Sequence, residues 1–157
     1  MKLQKSLILV LFMVLGYAEQ GLSQVSGYEF RKKYQVNAAE VSGSSNLTNF
    51  PVLFSLTDAD LRTTTNGGDV ENPNGYDIVF TSDDGSSILA HQIESYDDAT
   101  GELVFWVRFP TLSATSDTEF YLYYGNASIS ADPSTSNVWD NNYKMVHHMT
   151  DNADDAS

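Results

Sequence analysis

YDIVFTSDDGSSILAHQIESYDDATGELVFWVRFPTLSATSDTEFYLYYG, residues 76–125, is the stretch that decides the fold. It holds four apolar or alternating runs, at 77–81, 88–96, 102–109 and 118–124, each closed by turn-forming residues. That is the pattern of consecutive antiparallel strands. Asp83-Asp84-Gly85 is read as a tight hairpin with its glycine in the left-handed conformation, and Asp97-Asp98-Ala99-Thr100-Gly101 as a second connection of the same kind. The first three runs are therefore expected to form a meander. Pro110, which gives up the N–H a ladder needs, is expected to end the third run, and residues 113–117 lead into the fourth.

Upstream, residues 28–37 (YEFRKKYQVN) read as an edge strand whose Arg31-Lys32-Lys33 charges discourage pairing with another molecule. A loop at 43–46 precedes a strand at 50–56 (FPVLFSL), where Pro51 suits a strand start or a sheet edge. Residues 58–61 are expected to make one helical turn capped by Thr57 or Asp58. The glycine- and asparagine-rich stretch 63–75 is one long loop. Residues 1–23 have the form of a secretory signal peptide, with Lys2 and Lys5 ahead of an apolar run at 7–16. That run is too short for a bilayer, which takes about 20 apolar residues. Cleavage is expected after Ser23, with Ala18 as the other candidate, so no stable membrane insertion is expected and the product is secreted or held at the cell surface. The remainder divides into a domain at 24–126, a polar linker at 127–137, and at 138–157 the opening of a further domain.

With 8 basic and 21 acidic residues the chain carries a net charge of −13, a field that repels nucleic acid and anionic membrane surfaces. It has no cysteine, which excludes disulfides, thiolate metal sites and cysteine nucleophiles. About six strands at regular spacing with no convincing long helix give an all-β fold, an antiparallel β-sandwich of jelly-roll-like build.

Alternation then separates the two faces of the last strands. Leu103, Phe105, Val107 and Phe109 form one apolar side, with Val104, Trp106 and Arg108 on the other; Phe120, Leu122 and Tyr124 oppose Tyr121 and Tyr123. If the two strands pair, Trp106, Arg108, Tyr121 and Tyr123 make an aromatic platform. Such rings stack on sugar C–H faces while the arginine bonds hydroxyl or acidic groups. The competing reading is that a second sheet or a neighbouring domain covers this face. Acidic pairs (Asp58 with Asp60, Asp83 with Asp84, Asp97 with Asp98, and Asp151 with Asp154 and Asp155) are the only candidates for calcium. None has a calcium-loop spacing, and turn chemistry explains the hairpin aspartates, so no cofactor is expected. Glu94 and Glu102 are the one carboxylate pair to weigh for glycoside cleavage. His91 reads as a packed or surface residue, and His147 and His148 point to opposite faces of any strand. No nucleophile elbow, phosphate loop or dinucleotide fingerprint occurs. Asn46 and Asn126 lie in glycosylation sequons by pattern alone.

YEFRKKYQVN, NFPVLFSL, YDIVFTSDDGSSILAHQIESYD, TGELVFWVRFPTLS, FYLYYGN and VWDNNYKMVHHM together resemble a bacterial family known as domain of unknown function 2341. The resemblance implies an extracellular β-domain of bacterial surface or secreted proteins, often standing just before a laminin-G or concanavalin-like domain. Residues 138–149 are then similar to the first strand of that lectin-like neighbour. It also implies carbohydrate as a ligand class, with no activity to carry over. Gln92 stands where the family leads one to expect glutamate and Ser82 where it leads one to expect aspartate, which weakens any carboxylate-based site. The expected function is a non-catalytic module that binds extracellular polysaccharide or supports an adjacent lectin-like domain. A purely structural spacer and part of a polysaccharide-degrading enzyme are the alternatives.

Overall fold

The computed structural model describes residues 25–139. The expected signal peptide at 1–23, His147-His148, Asp151, Asp154, Asp155 and nearly all of the 138–157 stretch lie outside them. The described residues contain six strands and no α-helix: β1 (Phe30–Val36), β2 (Leu47–Thr57), β3 (Val79–Ser82), β4 (His91–Asp97), β5 (Glu102–Leu112) and β6 (Thr118–Tyr124). They form two antiparallel three-stranded sheets, ordered β1-β6-β3 and β2-β5-β4.

The expected meander is not what forms. β3 pairs with β6 and β4 pairs with β5. The Asp83-Asp84-Gly85 turn is present, with Gly85 at φ 70° and its N–H donating to Ser82 O, but only Thr81 and Ile88 bridge across it. Residues 88–90 then carry the chain over to the other sheet, so the strand begins at His91 instead of Ile88. The hairpin between β4 and β5 closes at Gly101, φ 74°, as expected. β5 also runs past Pro110 to Leu112. The ladder with β2 steps over the proline: Thr48 pairs Thr111 and Phe50 pairs Phe109, while Asn49, between them, takes a left-handed φ of 51°. β4 reaches only as far as Val107 in the register, so the missing proline N–H falls beyond it.

The sheets meet face to face through rings. Phe80 of β3 stacks on Phe105 of β5 with centroids 4.3 Å apart, and Phe54 of β2 and Phe109 of β5 lie 5.1 and 5.4 Å from Phe120 of β6. Around them Val52, Leu103, Val107, Leu112, Leu122 and Tyr34 complete one continuous core. Each fully buried ring contributes roughly 1.5–3 kcal/mol by leaving water. The result is a sandwich-like fold stabilised by its core without any disulfide.

Two further features tie the layers. Asp58 caps the expected turn at Ala59–Leu61, its Oδ1 accepting the Asp60 N–H. Buried Asp77 accepts four backbone N–H groups, from Glu71, Asn72, Gly125 and Asn126, and so pins the long loop to the end of β6. β1 is an edge strand, as expected, but its middle charge does not project outward: Lys32 shares the inward face with Tyr34 and Val36 and is buried.

Candidate functional site

The four residues expected to share one platform do not meet. β5 and β6 belong to different sheets, so Trp106 and Arg108 lie on the outer face of one sheet, and Tyr121 and Tyr123 on the outer face of the other. Strand periodicity assigns faces within each strand and is identical whether or not two strands pair, which is why alternation alone united them.

On the tyrosine side the surface is largely closed. Tyr123 is fully buried, its hydroxyl donating to Gly85 O at 2.8 Å, with Tyr28 edge-on at 6.2 Å and Val25 and Ile129 packed nearby. The Arg31 guanidinium lies over the half-buried Tyr121 ring at 4.8 Å and donates to the Tyr123 hydroxyl at 3.3 Å. This is a second, small core on the back of the sheet, and it holds Tyr123 as a packing residue.

The tryptophan side is built differently. In register, Trp106 stands between Leu53 of β2 and Gln92 of β4. Glu94 falls at the register shift between Ile93 and Ser95, a bulge that re-aims its side chain, and its Oε2 accepts the Trp106 Nε1–H at 3.1 Å. The second indole comes from Trp139. Its ring stands edge-on to Trp106 at 4.9 Å and its Nε1–H donates to Gln92 Oε1 at 3.0 Å. The preceding residues lie along the free edge of β4: Thr135 N–H donates to His91 O and Ile93 N–H donates to Ser134 Oγ. The stretch expected to be a linker is thus laid on the sheet, and Val138 is fully buried. Arg108 is half-buried one step along the same outer face, its N–H donating to Ala90 O. Two indoles, an amide, a carboxylate and a guanidinium therefore share this face, a set suited to stacking and to hydrogen bonding of hydroxyl-bearing ligands.

The matching family model, Domain of unknown function (DUF2341), covers residues 74–155, more than half of the chain. The chain belongs to the DUF2341 family. No curated protein and no solved structure matches it. The DUF2341 match takes in Asp77, β3 to β6 and both tryptophans, and begins after β1 and β2.

The other candidates in this DUF2341 chain resolve into local structure. Asp84 accepts the Ser86 and Ser87 N–H groups, and these bonds, with the Ser87 hydroxyl, hold its carboxyl well below the usual range. Asp97 is lowered in the same way by Thr100 and Ala99. Asp58 and Asp60 both contact Lys32. Among the described residues no three ligand-type side chains gather to hold a metal. His91 is buried beside Phe80, its Nδ1 on Leu89 O at 3.0 Å, and burial pushes its pKa down. Glu102 begins β5 opposite Asp97 and Thr57, whereas Glu94 is engaged by Trp106.

Sequence reasoning passed over Trp139, Asp77 and Lys32. Lys32 had a readable signal, since it falls in phase with Phe30, Tyr34 and Val36 on the apolar side of its strand. Asp77, in an otherwise apolar run, had a weaker one.

Proposed function

We propose that this DUF2341 chain is a secreted or cell-surface, non-catalytic β-sandwich module, jelly-roll-like in build, whose Trp106 face seats the polypeptide that follows it and so carries an adjacent lectin-like domain. The observation that supports this reading is Trp139. It comes from the segment after the last strand, packs edge-on against Trp106, and bonds Gln92 directly opposite Trp106 in the ladder. A residue that follows the domain and buries itself on the domain's own outer face makes a junction whose orientation is set by packing.

The test is hydrogen exchange on the full chain and its Trp106→Ala variant. The Thr135 amide, which reaches β4 from the 132–139 segment, is expected to be protected in the parent and to exchange faster in the variant, with the β5 amides unchanged. Equal protection of Thr135 in both chains overturns the reading.

A second reading, polysaccharide binding, is favoured by the company Trp106 keeps: Arg108, Gln92 and Glu94 are all half-buried on the same side. Affinity electrophoresis through polysaccharide gels is expected to show retardation that Arg108→Ala weakens. Unretarded migration in every gel removes it.

A further inference from the structure

Lys32 is the one lysine of the described residues that lies inside the fold, and it is not alone there. Its side chain is 8% exposed and its Nζ is in contact with Asp58 Oδ2, while Asp60 Oδ2 lies 2.8 Å away. The Asp58 side chain is 20% exposed, and its other oxygen, Oδ1, accepts the Asp60 N–H at 3.0 Å. The Tyr34 and Tyr124 hydroxyls are pushed up first by burial and then by Asp58 and Asp60, of which Asp58 lies on the buried side of the cluster and Asp60, with its side chain 50% exposed, on the solvent side.

We propose that Lys32 and Asp58 form an intramolecular isopeptide bond, assisted by Asp60, that covalently joins the two sheets. An ammonium and a carboxylate together contain the atoms of one amide and one water, so no further reactant is needed. Lys32 gives one proton to Asp60 and the resulting amine attacks Cγ of Asp58. Charge collects on Oδ1, which the Asp60 N–H already holds. Oδ2 takes the proton back from Asp60 and a second from the nitrogen, and leaves as water. Asp60 ends as it began, and the new C–N bond replaces the broken C–Oδ2 bond.

A buried ion pair keeps a desolvation penalty that a neutral amide does not have. Reacting groups fixed in contact have effective molarities of about 10⁵–10⁸ M. An oxyanion donor already aimed at the acyl oxygen lowers the barrier further. The chain contains its own control: Lys33 and Glu119 lie 2.7 Å apart, but their side chains are 50% and 42% exposed, so water solvates that pair and no amide is expected there. A bond between β1 and the end of β2 also does for a cysteine-free chain what a disulfide does elsewhere, closing a loop across 26 positions.

Mass spectrometry of the purified full chain decides it. The expected product is lighter than its sequence by one water. In tryptic fragments, Lys32-Lys33 is carried as a branch on Asp58 of the peptide 34–62. Asp58→Asn makes the same amide by expelling ammonia, and so converges on the same product mass. Lys32→Arg shows no loss, and Asp60→Asn accumulates the bond at least tenfold more slowly. A folded parent of complete mass, with Lys32 and Asp58 in unbranched peptides, overturns the proposal, as does a lost water that fragmentation locates at Asp84-Gly85. An unchanged rate in Asp60→Asn overturns the role given to Asp60.

Discussion

Asp77 offers the most quantitative test of how this fold is held. Its carboxylate has no solvent exposure and accepts N–H groups from Glu71 at 2.8 Å, Asn72 at 2.9 Å, and Gly125 and Asn126 at 3.1 Å each. Asp77→Ala removes the acceptor and leaves four donors. Glu71 and Asn72 lie where water reaches them, so their loss is partly made good. Gly125 and Asn126 are buried, and each orphaned buried N–H costs about 1–3 kcal/mol. With the weaker contribution of the loop donors, a destabilisation of about 3–6 kcal/mol is expected. That is a large part of the roughly 5–15 kcal/mol available to a domain. Asp77→Asn is expected to be milder yet still destabilising, since its amide nitrogen must face a donor. Urea unfolding followed by tryptophan fluorescence measures both through the shift in midpoint at constant slope. A loss below about 1 kcal/mol in Asp77→Ala with an unchanged slope would refute the reasoning, because the loop and the end of β6 would then be held by something else.

Three other outcomes follow from the same structure. Gly101→Ala places a methyl 1.9 Å from Asp58 O on a backbone at φ 74°, and a thermal melt is expected to show a loss of more than about 2 kcal/mol. Burial lowers the pKa of His91 in the folded state, so the unfolded chain takes up its proton first. Stability is therefore present above the ordinary value of 6.5 and is lost as pH falls below it, and His91→Leu is expected to flatten that part of the pH–stability curve measured by urea unfolding. Lys33→Ala, which breaks a solvated pair with Glu119, is expected to change stability by less than about 1 kcal/mol in the same assay.

Much of this architecture was legible in residues 76–125 because the apolar side of each strand repeats with period two. β6 occupies the expected 118–124, the turn at Asp97–Gly101 closes as read, and Asp58 caps its turn. What periodicity cannot carry is partnership. The run from Ile88 looks like a direct continuation after the Asp83-Asp84-Gly85 turn, yet three residues suffice to move the chain from one sheet to the other. Partnership also decides the candidate site: Tyr121 and Tyr123 face away from Trp106 because β6 joins β1 and β3. Trp139 was invisible for a different reason. It follows a polar, proline-containing stretch whose composition reads as linker, and its place on Trp106 depends on contacts across 33 positions of chain that no local pattern encodes. Pro110 was misread because the cost of its missing N–H depends on whether a neighbour stands beside it, and β4 has already ended there.

The pairing of β1 with β6, from Phe30 against Tyr124 to Val36 against Thr118, sets an order of assembly. The hairpin of β4 and β5 closes over a few residues and is available early, whereas the first strand has no partner until the last one exists. Contacts this distant in sequence slow folding. β1 therefore cannot lock while the rest of the chain is still being synthesised, and its sheet closes only once the final strand is complete.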